Sequence, residues 1–222
     1  MCYSINVKVK KEEIVEKFPF ANAKDFLFKE ENTISGFGLP ELSILIRKKE
    51  NDSYGFETYN WGLLPEWVKE ENAPKHAIKT LNARLENITE TPSFARYIDT
   101  QRAILPIAGF YEWQHIGKEK IQYHIQDLEG IMGLAVVYNL FKKKGKKQKT
   151  FSIITLKANA LMSEIHNTQK RMPLIIPNGF EKAWLGEKSF SETIKNLPTV
   201  GENFLFAEKT DPNKLNNQIK LF

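Results

Sequence analysis

Residues 102–113 of this 222-residue chain read RAILPIAGFYEW, a β-branched and aromatic run that predicts a strand over 103–113. Glu112 is the one acidic residue in the run. On a strand it shares a face with Phe110 and Ala108, where a carboxylate is costly unless it has a partner or a task. Burial there is expected to raise the pKa of Glu112 toward a value useful for general acid–base catalysis. The alternative is an edge-strand side chain that points into water.

Before and after this run, the sequence predicts strands and helices that do not alternate regularly. Strands are predicted over residues 42–47, 54–62, 121–126, 131–141, 150–156 and 172–176, and helices over 11–17, 23–28, 93–98, 158–165, 179–185 and 189–196. Turn residues 127–130 and the lysine-rich run 142–147 are each predicted to close a hairpin. Consecutive strands joined by short turns predict an α+β fold with a curved, mainly antiparallel sheet, in a single domain over residues 1–222.

Composition excludes several classes of protein. Hydrophobic residues make up 41% and charged residues 27%, which is typical of a globular domain. The sequence contains neither the ~20-residue apolar segment of a membrane helix nor a secretory signal, and its single Cys cannot form an internal disulfide. We therefore expect a cytoplasmic protein. The net charge of +5 is compatible with an anionic partner, and the lysine-rich run is interpreted either as a solvated hairpin tip or as a phosphate-binding loop.

The single cysteine, Cys2, directly follows Met1. At most positions a Cys is a small buried apolar side chain. At position 2 it can become the first residue, because methionine aminopeptidase removes Met1 before small residues. An N-terminal Cys carries an amine and a thiol with pKa values of ~8 and ~8.5, so both are partly nucleophilic near neutrality. With an aldehyde, the amine forms a Schiff base and the thiol closes a five-membered thiazolidine on the same carbon.

Two further segments carry candidate site residues. His166 follows the predicted helix 158–165 and lies beside its apolar stripe, where an imidazole can act either as a helix cap or as a proton shuttle. Arg171 precedes a buried strand.

The segment around residues 82–84 is polar, and tryptophans precede it. Asn82 and Arg84 share one face if this segment is extended, and offer an amide and a guanidinium fork suited to phosphate. Trp61 and Trp67 are interpreted either as core residues or as a stacking surface for unpaired bases.

Together these segments resemble one family, the SOS response-associated peptidase (SRAP) domain of the abasic-site processing proteins. The resemblance rests on Met1-Cys2, Trp61-Gly62-Leu63-Leu64-Pro65, Asn82-Ala83-Arg84, Gly109-Phe110-Tyr111-Glu112-Trp113, His166 and Arg171-Met172-Pro173. It implies a barrel-like antiparallel sheet flanked by helices. It also implies binding of single-stranded DNA with abasic sites and trapping of the ring-opened aldehyde by the N-terminal Cys as a thiazolidine crosslink. Self-release of the crosslink and a peptidase activity are associated with the same site.

The resemblance assigns a role to each candidate residue. Cys2 is the nucleophile, Asn82 orients its amine or the opened sugar, and Glu112 and His166 move protons. The DNA contacts are assigned to Arg84 and Arg171 for phosphates and to Trp61 and Trp67 for base stacking. We expect a monomer that associates with the nucleoid when bound to DNA, with no metal, no cofactor and no membrane partner.

The sequence departs from the family pattern in two places. Members usually begin Met-Cys-Gly-Arg, whereas this chain has Tyr3 and Ser4, so an early phosphate-binding Arg is missing. Members commonly place one residue between the His and the Arg-Met-Pro motif, whereas residues 167–170 intervene in this chain.

Two alternative functions follow from the same residues. An N-terminal-nucleophile amidohydrolase or amidotransferase also starts Met-Cys, but its usual Asn-Gly-Asp segment is absent, since the one Asn-Gly pair here is followed by Phe180. The second alternative is a non-catalytic single-stranded DNA-binding domain in which Cys2 is incidental.

Overall fold

A computed structural model describes residues 2–143, 146–198, 201 and 204–210. The chain is an α+β domain, as predicted. Its strands are β1 Ser4–Asn6, β2 Ala21–Asn22, β3 Ile34–Ser35, β4 Glu41–Lys48, β5 Ser53–Trp61, β6 Asn82–Arg84, β7 Arg102–Ile107, β8 Gly109–Ile116, β9 Glu119–Asp127, β10 Met132–Lys143, β11 Lys146–Lys157, β12 Arg171–Pro173, β13 Ile175–Ile176 and β14 Leu205–Thr210. Its helices are α1 Lys11–Lys17, α2 Ala73–Lys79, α3 Ala160–Ile165, α4 Glu181–Leu185 and α5 Phe190–Asn196.

The strands form two sheets, and the larger one closes on itself. In the larger sheet the order is β12-β11-β10-β7-β4-β5-β2, with β13 on β10 and β6 on β11. A further parallel pairing of β11 with β5, Phe151 opposite Trp61, joins β5, β4, β7, β10 and β11 into a ring of five strands. The smaller sheet has the order β14-β9-β8-β1-β3. Most pairs are antiparallel, so the predicted curved, barrel-like sheet is confirmed.

The predicted strand over 103–113 is in fact two strands in different sheets. β7 pairs with β10 in the barrel, whereas β8 pairs with β1 and β9 in the smaller sheet. The chain changes sheet at Ala108, and Gly109 lets it pass close to β9, because a Cβ there would lie 2.4 Å from Nε2 of His124. The predicted single strand was therefore wrong at its middle, where a small residue allows a corner.

One of the two predicted hairpins, at residues 127–130, also needs correction. Residues 127–130 do not close a hairpin, because β9 pairs with β8 and β14, and the turn carries the chain from the smaller sheet into β10. The hairpin partner of β9 is β8, through a turn with Gly117 at φ +59. The lysine-rich run does close a hairpin between β10 and β11, with Lys142 opposite Lys147, while residues 144–145 lie outside the described residues.

One hydrophobic core lies between the two sheets and a second lies under the helices. The first joins Ile5, Phe110 and Ile125 of the smaller sheet to Leu105 and Leu134 of the barrel, all of them buried. The second core packs the opposite side of the barrel against helical residues and includes Ile14, Phe18, Leu45, Trp184 and Phe190. Successive side chains of a strand point to opposite faces, so the continuous apolar runs of barrel strands such as β7 supply both cores.

The helices are short, and the predictions for them hold in part. Helix α1 matches the prediction, and α3, α4 and α5 lie within the predicted ranges 158–165, 179–185 and 189–196. Residues 23–28 are not helical, because the Leu27 amide donates to Oγ of Ser43 at 2.7 Å instead of to the preceding turn. Residues 93–98 form turns rather than a helix, and helix α2 was not predicted. No helix in the described ranges has the length and apolarity that a membrane crossing requires.

Candidate active site

Cys2 lies two residues before β1, the strand between β3 and β8. In this antiparallel pairing Ser4 is opposite Tyr111, so the register brings the start of the chain alongside Glu112. Cys2 is fully buried, and it belongs to the core cluster between the sheets. Burial raises the pKa of its thiol well above the usual range, and the nearby charge of Glu112 raises it further. The sulfur is therefore a thiol at neutral pH and needs a base before it can attack.

Asn82 holds the backbone of Cys2. It begins β6, which pairs in parallel with β11 so that Asn82 is opposite Ile153. Its Nδ2 donates to the carbonyl oxygen of Cys2 at 2.9 Å. Its Oδ1 is buried and has no hydrogen-bond partner among the described residues. An unsatisfied buried acceptor is costly, and here it is available to an N–H group that enters the site.

Glu112 is only 4% exposed, on β8. Burial raises its pKa from 4.5 to about 7. The prediction of a desolvated carboxyl on the apolar face is confirmed, and the edge-strand alternative is wrong for this residue. A carboxyl with a pKa near working pH can both release and accept a proton, which is what a general acid–base group requires.

His166 caps the end of α3 and lies next to Glu112. Its backbone N–H donates to the carbonyl of Met162, and its Nδ1 lies 3.8 Å from Oε1 of Glu112. Nδ1 is also 2.9 Å from the carbonyl oxygen of Arg171, which can only accept, so Nδ1 carries the hydrogen. Burial lowers the pKa of His166. The imidazole is therefore mainly neutral near pH 7, and its Nε2 lone pair can accept a proton.

A cleft of about 290 Å³ reaches this pair from the surface. Its lining residues are Tyr3, Glu112, Trp113, His115, Lys120, His166, Thr168 and Gln169. Neither His115 nor Lys120 is among the site residues predicted from the sequence. The signal that could have found them is the hairpin register, which places them opposite each other at the end of β8 and the start of β9.

The two arginines predicted to bind phosphate have different surroundings. Arg84 is exposed at the end of β6. Arg171 is 9% exposed, and its guanidinium forms a fork with the Glu86 carboxylate, with Nη1–Oε1 at 2.5 Å and Nη2–Oε2 at 2.9 Å. Nη2 also donates to the Thr155 carbonyl oxygen at 2.7 Å. The hydrogen bonds from Arg171 hold the pKa of Glu86 below its usual range. The prediction of Arg171 as a phosphate contact needs correction, because the two terminal nitrogens of its buried guanidinium already donate to Glu86 and Thr155.

The two tryptophans also differ. Trp61 is 0% exposed, its Nε1 donates to the Leu81 carbonyl oxygen at 2.8 Å, and its ring stacks on Phe151. The prediction that Trp61 stacks on DNA bases is therefore wrong, and the core alternative applies. Trp67 is 60% exposed, with its ring edge-on to His76 at 5.0 Å. Trp67 remains available to a planar ligand.

The fold and the site define a class of protein: a barrel-like α+β domain with a cysteine at residue 2, held by an amide and adjoining a carboxyl–imidazole pair in a cleft. Cys2, Asn82, Glu112 and His166 come together, although 164 positions separate the first from the last. The chain belongs to the SOS response associated peptidase (SRAP) family, whose family model matches residues 1–208.

Comparisons with known proteins agree with this assignment. The chain is 34% identical over 194 residues to the abasic site processing protein YoqW of Bacillus subtilis, covering 85% of this chain and 82% of that protein. It is 32% identical over 169 residues to the abasic site processing protein YMR114C of Saccharomyces cerevisiae, covering 72% of this chain and 44% of that one. A crystal structure of a protein from Bacteroides thetaiotaomicron superposes with a TM-score of 0.86 at 30% identity, covering 97% of this chain and 94% of that chain.

Proposed function

We propose that this protein binds single-stranded DNA containing an abasic site and joins the opened sugar to Cys2, after removal of Met1, as a thiazolidine. The names of its relatives, abasic site processing proteins, support the lesion as substrate. The observation that carries the proposal is the juxtaposition of a residue-2 cysteine with a carboxyl group of pKa about 7. The crosslink shields the lesion from strand cleavage.

The proposed chemistry conserves atoms and electrons. The free amine of Cys2 attacks the aldehyde carbon, and one of the nitrogen protons moves to the carbonyl oxygen to give a neutral carbinolamine. The protonated Glu112 then gives its proton to the hydroxyl, which leaves as water and generates a protonated Schiff base. The Glu112 carboxylate takes the thiol proton, sulfur attacks the imine carbon, and the C=N electron pair moves onto nitrogen. The net reaction is aldehyde plus cysteine to thiazolidine plus water, and Glu112 ends as it began.

The burial of Cys2 supports a role for Glu112 as the base that activates the thiol. A thiol whose pKa is raised by burial supplies almost no thiolate by itself. The nearby charge of Glu112 raises that pKa further, which supports the Glu112 carboxylate as the acceptor of the thiol proton. The same group can protonate the ring nitrogen in reverse, which supports self-release of the crosslink by the reverse of these steps.

Asn82 and His166 have supporting roles in this proposal. The hydrogen bond from Asn82 fixes the Cys2 backbone, and its Oδ1 can accept from the Cys2 amine. This orients the nitrogen lone pair and supplies the proximity on which ring closure depends. The neutral Nε2 of His166 accepts the proton of a sugar hydroxyl when the sugar opens.

The DNA contacts are proposed for the residues that remain accessible. Arg84 binds a phosphate near the lesion, because it shares a three-residue strand with Asn82 and is exposed. Trp67 offers a stacking surface for an unpaired base. The net charge of +5 favours association with a polyanion.

The test uses an oligonucleotide with one abasic site and measures intact mass, which reports removal of Met1 and addition of DNA together. Cys2→Ala is expected to abolish the adduct that resists SDS and heat. Cys2→Ser retains an N-terminal amine without the thiol, so it should give only a Schiff base that borohydride traps. If Cys2→Ala still forms the resistant adduct, Cys2 is not the nucleophile.

Proton transfer by Glu112 is tested separately. Glu112→Gln should retain DNA binding while slowing crosslink formation and reversal by roughly 10²–10⁴-fold, the usual scale for an acid–base group. Glu119→Gln is the matched control, because Glu119 is exposed at the start of β9. Equal rates for the two variants would show that Glu112 has only a structural role.

The two alternative functions make different predictions. An amidotransferase would hydrolyse glutamine or react with a glutamine affinity label, whereas the proposed protein would not. A non-catalytic DNA-binding domain would be unaffected by Cys2→Ala. The peptidase activity in the family name is tested in the same samples, since cleavage of any peptide bond other than the one after Met1 would appear in the intact mass.

A further inference from the structure

Among the described residues, the site has few accessible basic side chains that could contact a DNA strand passing through it. Arg171 is engaged by the carboxylate of Glu86. Arg84 is exposed on β6, at the side of the site that Asn82 occupies. The basic side chains that line the cleft itself are His166, His115 and Lys120.

His115 and Lys120 form a matched pair. They are directly opposite each other in the antiparallel β8–β9 ladder. Residues in this position project from the same face, with Cβ atoms about 5 Å apart. Among the described residues, neither side chain has an ion pair or a side-chain hydrogen bond. Two basic side chains that face each other across a β-ladder repel each other when both are charged. An anion bound between them would remove this electrostatic repulsion.

The loop between α3 and β12 completes this part of the cleft. The side-chain amide of Asn167 bridges the backbone of His115, donating to its carbonyl oxygen at 2.7 Å and accepting from its N–H at 3.1 Å. The loop ends at Lys170, whose N–H donates to the His166 carbonyl oxygen at 2.8 Å. These bonds fix the loop against β8 and bring Thr168 and Gln169 to the cleft wall.

We infer that His115, Lys120, Thr168 and Gln169 form a binding subsite for a phosphate of the DNA strand next to the baseless sugar. The subsite combines two basic side chains with a hydroxyl and an amide, which together match the charge and the acceptor oxygens of a phosphodiester. It rests on the proposed function for the identity of the ligand. Because the residues belong to the hairpin and to the 167–170 loop, they position the strand and take no part in the chemistry at Cys2.

Binding without crosslinking tests the subsite. In a Cys2→Ala background, the affinity for single-stranded DNA with a stable abasic analogue is measured against KCl concentration. Lys120→Gln is expected to reduce the slope of log K against log[salt] by about 0.7, and to weaken binding roughly five-fold at 0.1 M, the effect of one lost phosphate contact. Lys118→Gln is the control, because Lys118 lies in the same hairpin but does not line the cleft.

Oligonucleotides with one uncharged methylphosphonate next to the lesion locate the contact. Replacing the phosphate that Lys120 binds should abolish the effect of Lys120→Gln, while replacing a distant phosphate should leave it unchanged. Equal slopes for Lys120→Gln and Lys118→Gln would overturn the inference. If the slope changes as expected but the unsubstituted chain forms no adduct, the subsite stands and the proposed chemistry fails.

Discussion

Replacing Glu112 by Gln should make the protein more stable at alkaline pH while impairing the proposed reaction. Burial raises the pKa of Glu112 from 4.5 to about 7. The folded chain therefore binds this proton more tightly than the unfolded chain does. The resulting stabilisation is fully present below pH 4.5 and is lost as the pH rises through 7. Glutamine has the same shape and does not titrate, so it avoids this loss.

The magnitude follows from the two pKa values. The interval from 4.5 to about 7 corresponds to about 3 kcal/mol, at about 1.4 kcal/mol per pH unit. The difference in free energy of unfolding between Glu112→Gln and the unsubstituted chain should therefore grow by about 3 kcal/mol in favour of the variant as the pH rises from 4.5 to 8. For a domain of this size, this corresponds to a shift of roughly 6–12 °C in the relative Tm.

Urea unfolding at pH 4.5, 6 and 8 measures the effect, because the difference between two chains cancels the titration of groups that they share. Glu119→Gln serves as control, since the side chain of Glu119 is exposed to water. A pH-independent difference for Glu112→Gln would refute the desolvation argument, and with it the basis for the proton transfers assigned to Glu112. A more stable but slower variant would be an example of a site that sacrifices stability for activity.

Three further predictions concern residues outside the proton-transfer pair. Trp61→Phe should lower the free energy of unfolding in urea by about 2–4 kcal/mol, because it leaves the buried Leu81 carbonyl without a hydrogen bond. Trp67→Ala should change the free energy of unfolding by less than about 0.5 kcal/mol, because Trp67 is exposed. The same variant should weaken binding to single-stranded DNA roughly ten-fold or more. Gly109→Ala should lower the Tm by several degrees, because its Cβ would lie 2.6 Å from a backbone oxygen of β9, and an unchanged Tm would contradict the close approach. Arg102→Lys should lower the free energy of unfolding by about 3 kcal/mol or more, since one ammonium cannot replace a buried guanidinium that donates to five carbonyl oxygens. A smaller decrease in the free energy of unfolding would show that these hydrogen bonds are redundant.

Features with a local physical cause could be predicted from the sequence. Runs of β-branched and aromatic residues identified the barrel strands, because these side chains favour extended backbone whatever the partner strand is. Helix α5 was predictable from Ser189 and Glu192, which form a capping box within four residues. The burial of Glu112 followed from its aromatic neighbours, since a residue inside an apolar strand takes the environment of that strand.

Predictions failed where distant contacts overrode local pattern. Residues 103–113 look like one strand, but their two halves pair with different partners, and only the close passage of β9 past Gly109 fixes the corner. Arg171 has the chemistry of a phosphate ligand, yet a carboxylate 85 positions away engages it. Trp61 and Trp67 have the same side chain and lie six positions apart, but Trp61 is fully buried whereas Trp67 is exposed.

The sequence by itself determined the family motifs, the α+β class and the identity of the candidate nucleophile and proton carriers, because these depend on residue type and short-range order. Only the tertiary structure decided that Asn82 holds Cys2, that His166 lies 3.8 Å from Glu112, and that His115 and Lys120 share the cleft. These contacts join segments up to about 80 positions apart, and they form only when two sheets pack around one core. The physical reason is that strand pairing joins residues that are distant in the sequence. Which strands pair depends on the burial of apolar surface over the whole chain rather than on any one segment.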